Sequence, residues 1–196
     1  YTIAQGGLLY IDTQTTECTR LKGDLGTLVV AESGLAKQTF DVLKEGRIYG
    51  QEAIKAIQKK HPEFQIQNVR PDDYERYKKE VPQDYLPYWY AAVYNYDLTL
   101  KAKEALQNKG SYEALGNWMN QHQTILENQI QNTPKPMMHM MNEARKSGAL
   151  GTKIIGSGGG GCMVAMVSQE NKERVVEAFL AAGAKAAYEV AITHHN

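Results

Sequence analysis

Lys153-Ile154-Ile155-Gly156-Ser157-Gly158-Gly159-Gly160-Gly161-Cys162-Met163 joins two apolar stretches through a run of glycine. Gly151 to Ile155 reads as a strand leading into the run. Cys162 to Val167 follows it and is apolar throughout, as in a strand buried on both faces. Five of the six residues from Gly156 to Gly161 are glycine. Glycine loses more backbone freedom on ordering than any other residue, so packing alone does not account for such a run. It makes sense where several backbone N–H groups converge on one anion, because only a chain without Cβ atoms approaches phosphate oxygens that closely. A hydrogen bond to a charged group contributes about 1.5–3 kcal/mol, so two or three would offset the ordering cost. A flexible hairpin connection is the plainer alternative, but a hairpin needs only one or two glycines.

The run satisfies G-x-G-x-x-G, which is weak on its own. A dinucleotide fingerprint needs a helix directly after the loop, and here a strand follows. A P-loop ends in Gly-Lys-Ser/Thr, and Gly161-Cys162 does not supply it. The protein-kinase loop lies between strands, but its Val-Ala-Ile-Lys, His-Arg-Asp and Asp-Phe-Gly partners are absent.

Outward from the loop, the last third reads strand, glycine loop, strand, helix (Asn171 to Ala182), strand (Ala184 to Ile192). The chain opens on three short strands, Leu8 to Asp12, Thr16 to Leu21 and Gly26 to Glu32, with Lys22-Gly23-Asp24 as a turn. Ala36 to Leu43 and Tyr49 to Lys60 read as two helices separated by a loop at Gly46. The middle is helical: a short helix after Arg70-Pro71, a long one ending near Leu106, one capped by Ser111, and one from Pro134 to Lys146. Helices lie between strands able to pair antiparallel. The expected fold class is therefore α+β, a ferredoxin-like split β-α-β sandwich with an antiparallel sheet and a helical insertion.

Composition narrows the function. The 22 basic and 22 acidic residues cancel, so the basic excess of a nucleic-acid binder is missing. No apolar run reaches the roughly 18 residues that span a bilayer. Cys18 and Cys162 are too few for a disulfide framework or a zinc cage, which points to a cytoplasmic, reducing compartment. With 196 residues, beginning at Tyr1 and not at a methionine, the chain reads as one domain, 1–196, cut from a longer protein.

Gly151 to Cys162 closely resembles the third, C-terminal motif of the GHMP kinases, the family of galactokinase, homoserine kinase, mevalonate kinase and phosphomevalonate kinase. Asn120 to Leu126 resembles a galactokinase helix segment. Val29 to Gly34 resembles the strand and turn after the family's central helix, and Gly6-Gly7 with Leu8 to Asp12 the start of its C-terminal half. The resemblance implies the C-terminal domain of an ATP-dependent small-molecule kinase, with a sugar as the expected acceptor and magnesium at the phosphates. ATP and magnesium would be bound mainly by an N-terminal half of the same protein, and the catalytic aspartate would lie just upstream of Tyr1. In this chain the resemblance implies phosphate or substrate contacts from Gly156, Ser157, Gly158, Gly159, Gly160 and Gly161. It sets Tyr49, Ser33 and Gly34 near the substrate, although Gln51-Glu52-Ala53 departs from the arginine pair and cysteine of galactokinases. Lys153 is read either as positive charge beside the loop or as a solvated strand residue. No metal ligand is assigned. A mevalonate-kinase-like enzyme and a non-catalytic ligand-binding module stand as alternatives. His122, on the apolar stripe of its helix, is expected to be a core histidine with one nitrogen satisfied.

Overall fold

The turn residues after each of the first apolar runs send them into two different sheets. The computed structural model describes residues 7–36, 39–108 and 110–192. Gly6, His194 and His195, and residues 37 and 38 at the start of the first expected helix, lie outside the described residues. β1 (Leu8–Ile11) and β2 (Cys18–Leu21) pair antiparallel in a small ribbon. Its turn is shaped by Asp12, whose Oδ1 accepts hydrogen bonds from the N–H groups of Gln14 (2.9 Å) and Thr15 (3.1 Å). β3 (Thr27–Glu32), β4 (Ala149–Ile154), β5 (Cys162–Val167) and β6 (Ala186–Val190) form a four-stranded antiparallel sheet in the order β4-β5-β3-β6. With helices between β3 and β4 and between β5 and β6, this is the expected split β-α-β arrangement.

The alternation of strand side chains gives the sheet two different faces. On one, Val29, Ala31, Ile154, Met163, Ala165 and Val167 are buried. They meet Met137, Met140, Met141 and Ala144 of α5 (Lys135–Lys146) and Val175 and Phe179 of α6 (Lys172–Ala181). Each fully buried Val, Ile, Met or Phe among them stabilises the fold by about 1.5–3 kcal/mol. On the other face Leu28, Val164 and Met166 meet Leu115 and Trp118 of α4 (Tyr112–Ile125) and Ala102 and Leu106 of α3 (Leu86–Gln107).

α4 also closes the free edge of β4. Asn120 Nδ2 donates to the Leu150 carbonyl and Asn120 Oδ1 accepts from the Thr152 N–H, both at 3.0 Å, while Gln123 Oε1 accepts from the Ile154 N–H at 3.0 Å. Two amide side chains thus take the place of a neighbouring strand on an edge that would otherwise be open to pairing. The approach needs glycine on both sides. A Cβ on Gly116 would sit 2.7 Å from the Leu150 carbonyl, and one on Gly151 would sit 2.5 Å from the Gly116 oxygen.

One expectation from the sequence fails. The described part of the first helical region is one helix, α1 (Thr39–Gln58), continuous through Gly46. Nothing lies within 4 Å of where a Cβ on Gly46 or Gly50 would be, so these glycines weaken the helix locally without breaking it. Tyr85, Tyr90 and Tyr94 pack away from the sheet. Trp89 and Val93 of α3 join Phe64, Val69, Val81, Tyr74 of α2 (Tyr74–Lys78) and the apolar face of α1, Ala53 and Ile57, in a separate core.

Candidate functional site

The glycine run turns back at the end of the sheet where β3 finishes. Gly156 (φ 78°), Gly158 (82°), Gly159 (71°), Gly160 (131°) and Gly161 (84°) all occupy left-handed backbone, which explains five glycines by conformation alone. Close approach adds a second reason. A Cβ on Gly158 would lie 2.5 Å from the Asn132 carbonyl oxygen, and one on Gly160 2.7 Å from that of Ala36.

Two segments grip the loop. From the turn after β3, the Ser33 N–H and Oγ both donate to the Gly161 carbonyl, at 2.9 and 2.6 Å. Ser33 is buried, and its Oγ also accepts from the Leu35 N–H at 3.2 Å. From the connection before α5, the Asn132 carbonyl accepts from the Gly159 N–H at 2.7 Å, and Asn132 Nδ2 donates to the Ser157 carbonyl at 3.0 Å. Asn132 is presented by irregular backbone. A π-helical turn, Leu126–Ile130, ends α4, and Gln131 follows in left-handed conformation with φ 56°. A π-turn inside a helix frequently accompanies a functional site.

The expectation that the loop amides converge on an anion needs revision in part. Gly159 donates to Asn132, and Gly161 donates to the Leu35 carbonyl at 3.4 Å, so both are used within the chain. The N–H groups of Gly156, Ser157, Gly158 and Gly160 have no acceptor among the described residues. Gly158 and Gly160 are themselves buried. Ser157 Oγ is buried without a partner as well. Buried N–H groups are almost always paired, so a cluster lacking partners is the part of the loop suited to receiving an acceptor.

Ser33 and Gly34 lie beside the loop. Gly34 has φ 73°, and a Cβ there would touch that of Lys185 at 3.4 Å, so the exposed Lys185 stands at the same end of the sheet. Asn132 and Lys185 escape a reading of the sequence. Neither belongs to a motif, and both arrive through the topology. Tyr49 is not brought to the loop. It lies ten residues along α1 from Thr39, about 15 Å by helical rise. Its ring packs against Tyr85 and Tyr88 at centroid distances of 5.4 and 5.1 Å.

Lys153 departs from both of its readings. Thr152 and Ile154 point into the α5–α6 core, so strand alternation turns Lys153 to the opposite face, opposite Val164 of β5. There it lines a cavity with His122, and no residue of the glycine run lines that cavity. Burial pushes the Lys153 ammonium down to about 8. Burial, and then the Lys153 charge, push His122 down to about 4, so its imidazole is neutral at pH 7. His122 Nδ1 is buried with no partner.

No group of three or more His, Cys, Asp or Glu side chains among the described residues is arranged to hold a metal ion. The described residues thus offer no carboxylate cluster for magnesium. No helix among the described residues is long and apolar enough to cross a membrane.

Residues 102–185 match the family model described as GHMP kinases C terminal. Over 87 residues, 42% of the chain, the sequence is 37% identical to a mevalonate kinase of Thermococcus gammatolerans. Over the same span length it is 33% identical to a mevalonate kinase of Pyrococcus furiosus. Each match covers 26% of the relative. Among solved structures, Lactococcus lactis galactokinase complexed with galactose superposes with a TM-score of 0.78 at 18% identity, over 95% of this chain and 50% of that one. L. major mevalonate kinase in complex with R-mevalonate gives a TM-score of 0.62 at 21% identity, over 95% and 49%. The chain therefore spans about half the length of these solved neighbours, and about a quarter of the curated relatives is aligned with it.

Proposed function

We propose that the chain, which carries a GHMP kinase C-terminal domain, is the C-terminal half of an ATP-dependent kinase that moves the γ-phosphoryl group to a hydroxyl of a small molecule. The observation that carries this reading is the unpartnered cluster in the glycine loop: the N–H groups of Gly156, Ser157, Gly158 and Gly160 with Ser157 Oγ. Phosphoryl transfer spreads charge over the equatorial oxygens, and preorganised donors stabilise it without reorganising. Gly159 and Gly161 have a different task. Through Asn132 and the Ser33–Leu35 turn they fix the loop, so that the remaining donors are held in place before substrate arrives. ATP and its metal would be held mainly by an N-terminal half, which would also supply the catalytic aspartate.

The acceptor is proposed to be a sugar, from the resemblance of the Asn120 to Leu126 segment to galactokinases. Mevalonate is the second reading, favoured by the 37% identity to a mevalonate kinase. The role of Asn120 and Gln123 at the β4 edge accounts for part of that segment by packing, which narrows the gap between the two. The test is phosphoryl transfer from ATP by the complete parent protein to galactose, other sugars, mevalonate and homoserine. Turnover of one acceptor is expected. No transfer to any of them would end the kinase reading. The 196-residue chain alone is expected to turn over none of them.

A further inference from the structure

The second face of the sheet holds a feature that phosphoryl transfer does not use. Between β4, β5, α3 and α4 lies a cavity of about 290 Å³, walled mainly by apolar side chains such as Leu98, Leu115, Trp118 and Met166. Thr99, exposed on α3, sits at its rim. Among the described residues, Lys153 and His122 are its only titratable lining groups. Lys153 has no ion pair or hydrogen bond among the described residues, and His122 Nδ1 is buried with none. An ammonium without a counter-charge, half-buried against apolar walls, loses part of its hydration with no partner in return.

The geometry points to a binding site for a small monocarboxylate with an apolar tail, its head group on Lys153 and His122 and its tail along Leu98, Leu115 and Trp118. One ammonium beside a neutral imidazole matches a single negative charge. A phosphate dianion would be left half-compensated in this lining. His122 lines the same space and adds no second charge. The low ammonium pKa agrees with a cation held here without its partner, and a bound carboxylate raises it. The site is separate from the glycine loop, and it stands whether or not the kinase reading holds.

The test uses the complete parent protein without ATP or acceptor, titrated calorimetrically with octanoate and, as uncharged control, octanol. Octanoate is expected to bind more tightly than octanol by about tenfold or more. Lys153→Met, which keeps the side-chain length without the charge, should abolish that preference. Ala102→Trp, which fills the space from α3, should remove binding of both. The preference should also fade as pH rises above about 8, where Lys153 loses its proton while His122 is already neutral. Absence of octanoate binding at millimolar concentration, equal binding of octanoate and octanol, or a preference that survives Lys153→Met would each overturn the site.

Discussion

Glycine serves two regions of this chain in opposite ways. Where α4 meets β4, Gly116 and Gly151 let helix and strand backbones touch, and Asn120 and Gln123 satisfy the strand-edge groups of Leu150, Thr152 and Ile154. In the loop from Gly156 to Gly161 the backbone comes just as close to Asn132 and Ala36, yet four N–H groups and one hydroxyl find no acceptor among the described residues. The first region is finished as structure. The second is fixed at two points and left open between them. Close approach alone thus does not mark a site. Donors left over are what set the loop apart.

The largest effect should come from breaking the closed region. In Gly151→Val the new Cβ falls 2.5 Å from the Gly116 oxygen and 2.7 Å from its Cα, backbone that cannot step aside. A loss of about 3 kcal/mol or more is expected, read as a lowered urea midpoint. The open region should respond in activity. Asn132→Ala removes the Nδ2 bond to the Ser157 carbonyl and should cost only about 1 kcal/mol of stability. In the complete parent it should lower kcat/KM for ATP by about tenfold to a hundredfold, because the loop donors lose their placement. A stability loss like that of Gly151→Val with unaltered kinetics would erase the contrast between the regions.

A smaller effect concerns the helix that covers the strand edge. His122 holds its proton less readily in the folded chain, at about 4, than at its ordinary 6.5. The unfolded chain therefore carries more protons between those values, and stability falls as pH drops through that window. His122→Phe should flatten the difference in urea midpoint between pH 7 and pH 5. The smallest effect is at Gly46, where nothing surrounds the missing Cβ within a long helix. Gly46→Ala should raise stability by about 0.5–1 kcal/mol, measured by thermal unfolding.

Much of the fold is legible because strands and helices announce themselves locally. The apolar run from Cys162 to Val167, the Ser111 cap, which accepts from the Ala114 N–H at 3.1 Å, and Gly183 after α6 at φ 101° lie where the pattern puts them. Gly46 misleads because propensity is a weak prior that a helix of 20 residues overrides. The composition of the loop marks it as special, but it suggests one purpose for all of its glycines. Conformation and backbone contact with Asn132 and Ala36 are tertiary facts with no local signature. Lys153 is close to the loop in sequence, whereas a strand's period of two sends it to the other face. Asn132 stays hidden because its position depends on a π-turn and on Gln131 at φ 56°.

The most direct test follows the loop amides by ¹⁵N–¹H NMR in the complete parent protein as ATP is added. The signals of Ser157, Gly158 and Gly160 should shift, while Gly116 and Gly151, closed off at the β4 edge, stay in place. If Ser157, Gly158 and Gly160 remain unmoved in a protein that is turning over its acceptor, the loop is scaffold alone and its open amides do not receive phosphate.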